Sequence, residues 1–252
     1  MTDHQRGRMR RLRDGLEVVA TSAVIVLCGT VVWALAVRPP ASGPRDPIRR
    51  TGTRPPPPPL PAEPVALGGV SHGSNAASLA LIVYSEFKCP FCGVFARDTM
   101  PALTEKYVDT GKVQLVFRHF PLDGLHPFAR QAAQAAECAS QQGRFTPLHD
   151  AMFANQAALD GPALDAHLFR LGLKNAAFDA CVNGPAAKRI DEDVQAGRAL
   201  GVTGTPTAFI GVAQPDGRFK LVQRISGARP LKDFEGALDR WLAEPKTVAT
   251  AR

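Results

Sequence analysis

The longest apolar stretch in the chain is VVATSAVIVLCGTVVWALAV, twenty residues without a charge from Val18 to Val37. At about 1.5 Å per helical residue it matches the thickness of a bilayer's hydrocarbon core. Glu17 and Arg38 bracket it, and the pattern predicts a transmembrane helix. A cleavable leader is the alternative, with Ala34, Ala36 and Ala41 as small residues for cleavage. Its apolar region, however, would run only roughly 7 to 15 residues. Charged and Pro-rich flanks argue against a buried core helix, and Leu27 before Cys28 does not fit a lipoprotein signal.

Further along, the periods are those of a folded domain. LALIVY (79–84) is a short apolar run that reads as a buried strand. A helix is predicted to start at Cys89, because Pro90 suits a first turn that needs no backbone donor. Phe91, Val94 and Phe95 fall on one predicted face, and Pro101 should kink or divide the helix. KVQLVF (112–117) is a second strand. From Pro127 to Leu200 the chain is alanine-rich and helical in period, enough for four or five helices. Gly143, Gly172, Gly184 and Gly201 fit C-terminal caps, and Asn175 fits a helix start. TAFIG (207–211) and FKLVQRI (219–225), joined through Asp216-Gly217, suit an antiparallel pair, and Leu231 to Leu242 is a last amphipathic helix. The order is that of an α/β fold with an all-helical insertion, about 125–200, between its second and third strands. Such a segment is too long and too structured for a loop.

Composition divides the chain into a basic tail (1–17), the apolar span (18–37), a Pro-rich linker (38–69) and a domain (70–246). Eleven of the 22 prolines lie in 38–64, and Pro55 to Pro59 run consecutively. That run favours extended polyproline II, so the linker reads as a stalk or a plain tether. The net charge is +7, but residues 1–64 hold 10 basic and 5 acidic residues against 20 and 18 in the remainder. The excess belongs to tail and linker, where it suits anionic lipid rather than nucleic acid. Arginines flank the span on both sides almost equally, so charge alone leaves orientation open.

The candidate chemistry is EFKCPFC (86–92) at a strand-to-helix junction. A cysteine at a helix N-terminus faces unpaired amides and the positive end of the dipole, which favour its thiolate. Cys89 would then attack, and Cys92, one turn on, would close the ring. A zinc site needs about four ligands, usually a second close pair, and Cys138 and Cys181 stand apart. A structural clip is the other alternative. In GVTGTPTAF (201–209), Pro206 follows Thr205 directly before a strand, where a cis peptide bond or an ordinary trans turn would sit.

EFKCPFC, FRHFPL (117–122), AAECA (135–139), FDACV (178–182) and GVTGTPTAF, in that order, resemble the DsbA-like thioredoxin-fold oxidoreductases over roughly 76–243. The resemblance is to membrane-tethered or exported members from high-GC Gram-positive bacteria. It implies an exposed nucleophile Cys89, a buried partner Cys92, and support from Pro90, Phe91, Thr205 and cis-Pro206. The backbone of residue 205 would pair with an extended substrate strand. Relatives often join the positions of Cys138 and Cys181; two buried apolar thiols are the alternative. A bridge there implies the extracytoplasmic side, with the N-terminus cytoplasmic. Two positions depart from the pattern. Phe91 stands where the strongest oxidants carry histidine, which implies a milder potential, and Val83 stands where relatives bury an acid. Glu86 is read as a solvated loop-edge acid or a proton relay.

His119 is expected to be a partner-bonded surface residue, and His126, His149 and His167 to lie on helix surfaces. Phe145, Phe153 and Phe169 are expected in the core. The resemblance implies disulfide formation in reduced exported proteins, with no cofactor. Recycling would fall to a quinone-linked membrane reoxidant of the DsbB or vitamin K epoxide reductase-like type. A reductase or isomerase, or a tethered binding or chaperone module with idle cysteines, are the alternatives.

Overall fold

The computed structural model describes residues 56–244. The tail, the apolar span with Cys28, the linker up to residue 55 and the last residues from 245 lie outside them. Among the described residues no helix is long and apolar enough to cross a membrane.

Five strands form one sheet in the order β1-β3-β2-β4-β5. They are β1 (Val70–His72), β2 (Leu79–Ser85), β3 (Val113–His119), β4 (Thr207–Ala213) and β5 (Phe219–Ser226). β2 and β3 are parallel, and the other pairs are antiparallel. The continuous apolar run of β2 is explained by its central place. Leu79, Leu81 and Val83 pack on one face with Phe95, Leu103 and Phe234. Ala80, Ile82 and Tyr84 pack on the other with Ile190, Phe209 and Phe219.

A helical run follows β2: α1 (Pro90–Val94), a π-helical stretch (Phe95–Thr99), α2 (Met100–Leu103) and a second π-helical stretch (Thr104–Val108). Pro101 has no N–H to return to the preceding turn, and the ladder widens just before it, with Met100 bonding to the Phe95 carbonyl. The predicted apolar face is corrected: Phe95 is buried, whereas Phe91 is 66% and Val94 39% exposed.

The insertion lies between β3 and β4 and holds five helices. They are α3 (Ala129–Ser140), α4 (Phe145–Ala154), α5 (Gly161–Arg170), α6 (Ala176–Val182) and α7 (Pro185–Ala199). α8 (Leu231–Ala243) closes the fold. The short β1 has no strand signal of its own in VSH and is fixed by pairing with β3. Asn175 caps α6 by accepting from the Phe178 amide. Gly143, Gly172 and Gly201 take positive φ after their helices. Gly184 does not: it precedes Pro185 at φ −133° and serves the start of α7.

The linker read from composition ends earlier than residue 69. Residues 58–69 lie along the sheet as a strap. Val65 exchanges two backbone hydrogen bonds with Phe219, at 2.9 and 2.8 Å. Leu60, Val65 and Leu67 pack against the Tyr84 face, and the Leu67 carbonyl accepts from Arg118.

Candidate redox site

The insertion's core is not separate from the cysteine pair. Phe87, Cys89 and Cys92 pack in one apolar cluster with Ala136, Leu148, Met152 and Phe178. Cys89 is the N-cap of α1 with extended backbone (φ −72°, ψ 119°), and Pro90 occupies the first turn. That geometry turns the amides of Phe91 and Cys92 towards the Cys89 sulfur. Both cysteines are free thiols.

The two thiols are driven apart. The Cys89 thiol is lowered to about 5, chiefly by the hydrogen bond from Cys92; burial opposes this, while Thr205 and the amides of Cys92 and Phe91 help. Cys92 is pushed up, first by burial and then by Cys89 itself. One sulfur therefore holds negative charge and the other holds the proton.

The Thr205–Pro206 peptide is cis, and the Cys89 sulfur lies 3.3 Å from the Thr205 carbonyl oxygen. The Thr207 hydroxyl donates to the Gly204 carbonyl at 2.7 Å and ties the loop to β4. The structure thus brings Cys89, Pro90, Cys92, Thr205 and Pro206 together. The exposed nucleophile is corrected: Cys89 is only 4% exposed, because the 205–206 loop and the insertion core enclose it. Phe91 projects outward. Cys138 and Cys181 are distant from this pair in role: they are joined to each other, S–S 2.04 Å and Cα–Cα 5.7 Å, and tie α3 to α6.

Several histidine and acid expectations are overturned. Glu86 is 1% exposed, not solvated. One of its carboxylate oxygens bonds His126 Nδ1, and the other has no hydrogen-bond partner among the described residues. Burial pushes Glu86 up to about 7 against the pull of His126. His119 is fully buried between β3 and the insertion, its ring nitrogens without hydrogen bonds and Glu137 3.7 Å away. Burial, then Arg189, Arg118 and His149, lower it to about 3, so it is neutral. Its neighbours Arg118 and Asp193 form an ion pair at 2.7 Å. His149 and His167 are buried as well. Phe153 is core, Phe145 packs at its margin, and Phe169 is 77% exposed.

Sequence reasoning missed Gln156. Its side-chain amide donates to the Phe87 and Cys89 carbonyls at 2.7 and 2.8 Å. The one signal was a polar residue in a turn just after the apolar end of α4. Among the described residues no group of three or more His, Cys, Asp or Glu is placed to hold a metal ion. A cavity of about 680 Å³ lies between the helical run, β3 and α4, with Met100, Leu115, Phe117 and Phe145 in its walls and neither thiol.

A parallel β2–β3 unit, a thiol pair capping the following helix, a cis-proline facing it and a helical insertion define a thioredoxin-fold redox protein. The sequence matches the family described as Thioredoxin over residues 66–221, and the chain belongs to that family. Within it, the described domain has the fold of the DsbA-like proteins, with the helical insertion between β3 and β4. It is similar to alpha-DsbA1 of Wolbachia pipientis, 28% identical, with a TM-score of 0.60 over 73% of this chain and 92% of that one. BdbD of Bacillus subtilis, in its oxidised form, shares the fold at 17% identity and a TM-score of 0.59, over 72% of this chain and all (100%) of that one. Among curated proteins, the chain is 36% identical over 151 residues to Na(+)/H(+) antiporter NhaA 3 of Salinispora tropica, covering 60% of this chain and 22% of that one. It is 33% identical over 189 residues to Na(+)/H(+) antiporter NhaA 1 of Mycobacterium sp. strain KMS, covering 73% and 29%. The chain spans about a quarter of the length of these curated relatives.

Proposed function

We propose that the protein forms disulfides in reduced exported proteins, with Cys89 as nucleophile and Cys92 as its partner. The observation that carries this reading is the opposed setting of the two thiols, Cys89 lowered to about 5 and Cys92 raised. In the oxidised enzyme a substrate thiolate attacks the Cys89 sulfur. The Cys89–Cys92 bond breaks, and Cys92 leaves with the electron pair and takes a proton. A second substrate thiolate then attacks the substrate sulfur of the mixed disulfide and expels Cys89 as a stable thiolate. The substrate loses two electrons and two protons; one proton resides on Cys92 and the other passes to solvent. The Thr205 carbonyl beside the Cys89 sulfur supports a role for residue 205 in receiving an extended substrate segment.

The reduced enzyme then requires an oxidant, and a quinone-linked membrane partner of the DsbB or vitamin K epoxide reductase-like type fits that need. The apolar span 18–37 supports a single-pass anchor with a cytoplasmic N-terminus and an extracytoplasmic domain. Two curated relatives named as sodium/proton antiporters carry the matched domain beside much additional chain, which supports a setting at the membrane. Antiport itself is not part of this proposal.

The test is oxidative refolding of a reduced disulfide protein by the full chain, together with its reduction potential in glutathione buffers. Cys89→Ser should abolish turnover, and the potential should lie above about −200 mV, on the oxidising side but milder than about −120 mV. A value at or below about −200 mV would assign the same chemistry to reduction or isomerisation. Refolding unaffected by Cys89→Ser would sink the catalytic reading and leave a binding module.

A further inference from the structure

We infer that Gln156, from the helical insertion, is a positioning residue that fixes the Cys89 sulfur against the start of α1; the inference rests on the exchange chemistry proposed above. Gln156 lies in the turn between α4 and α5, remote in sequence from the cysteine pair. It is bound to three consecutive residues of the segment that enters the helix. Its Nε2 donates to the Phe87 carbonyl at 2.7 Å and to the Cys89 carbonyl at 2.8 Å, which uses both of the amide's hydrogens. Its own carbonyl accepts from Lys88 Nζ at 2.9 Å. About two turns further on, Arg97 Nη1 donates to the Phe153 carbonyl at 3.0 Å. The insertion thus grips the active-site helix at two levels.

Gly93 completes the fit. A Cβ at Gly93 would stand 2.0 Å from Gln156 Oε1, so the amide lies where any larger residue would displace it. The Gly93 amide also donates to the Cys89 carbonyl, at 3.2 Å, so that carbonyl is shared between the helix and Gln156. No side-chain cap holds this helix start. The direction of the Cys89 sulfur relative to the Phe91 and Cys92 amides is set by the backbone on either side of residue 89, and Gln156 holds the carbonyls on both sides. Without it the segment can relax, and the sulfur drifts from amides whose effect falls off within a turn. Anchoring of the insertion alone would leave the thiol's acidity untouched, which separates the two roles.

The experiment titrates Cys89 in the reduced full chain by ultraviolet thiolate absorbance, with alkylation and mass readout to assign the sulfur. Gln156→Met keeps the length and removes both donors. Gly93→Ala displaces the amide without altering it, and crowds Arg97 Nη1 as well. Both are expected to raise the Cys89 midpoint by about one pH unit, a tenfold loss of thiolate at a fixed pH below it. The Cys138–Cys181 bridge should stay closed and the thermal midpoint should move by only a few degrees. A midpoint unmoved in both variants would overturn the positioning role. Loss of the folded state in both would make Gln156 a structural anchor and also overturn it. The titration needs no substrate, so the two readings fail separately. A wild-type Cys89 that titrates like an ordinary thiol sinks the exchange reading, whereas a low wild-type midpoint that neither variant moves sinks only the role of Gln156.

Discussion

Replacing Cys92 by alanine removes the largest influence on its neighbour. The Cys92 thiol is the first-named cause of the lowered Cys89 value of about 5. A hydrogen bond to a charged group contributes about 1.5–3 kcal/mol. At about 1.36 kcal/mol per pH unit, its loss should raise the midpoint by about 1–2 units, to about 6–7. The wild-type baseline follows from the same arithmetic. At pH 6 a thiol of about 5 is about 90% thiolate, against about 0.1% for an ordinary thiol at 9.0. That gain of about 900-fold is reduced roughly 40- to 100-fold by the weaker nucleophilicity of a low-pKa sulfur. Cys89 should therefore alkylate about 10 to 20 times faster than an ordinary thiol at pH 6. The sign for stability is fixed too: a lowered thiol stabilises the reduced fold, fully above its ordinary 9.0, and the effect is lost as pH falls through about 5. The assay is iodoacetamide labelling across pH, with Cys89 and Cys28 resolved by mass. A Cys89 midpoint unmoved by Cys92→Ala, or one near 9 in the wild type, would refute the reasoning.

Glu86 carries the opposite sign. Its value is raised to about 7, so stability present below its ordinary 4.5 is lost as pH rises through about 7. Glu86→Gln should then stabilise the protein by on the order of 3 kcal/mol at pH 8 and change little at pH 4, as read by guanidinium unfolding at both values. Substituting Cys138 and Cys181 together by alanine opens a loop spanning 43 positions. On the chain-entropy account it should cost about 4 kcal/mol, read as a lower denaturation midpoint. The Cys89 titration should stay in place in that variant.

The parts of the fold that announce themselves in the sequence are those with strong local periods. β2 reads as buried because each residue from Leu79 to Tyr84 meets one of two cores, and α6 is announced by the Asn175 cap. The cysteine pair is legible for the same local reason, since Pro90 and the helix start lie within the motif. What stayed hidden depends on distant partners. β1 is a strand only because β3 offers it an edge. Glu86, His119 and His149 look like surface residues in sequence, and they are buried by an insertion whose docking no local pattern encodes. Gln156 meets Phe87 across 69 positions of chain, a separation no spacing rule spans.

The strap has a consequence for where the chain can be cut. β5 is the outer strand of the sheet, and the Phe219 amide and carbonyl at its start are occupied by Val65. A truncation at residue 70, the boundary that composition suggests, would strip those partners and uncover apolar surface beside Tyr84 and Phe209. It would leave a free strand edge next to an unpacked face, the combination that recruits a second chain by strand addition. Soluble versions beginning before Pro58 should stay monodisperse, while versions beginning at Val70 should self-associate through β5.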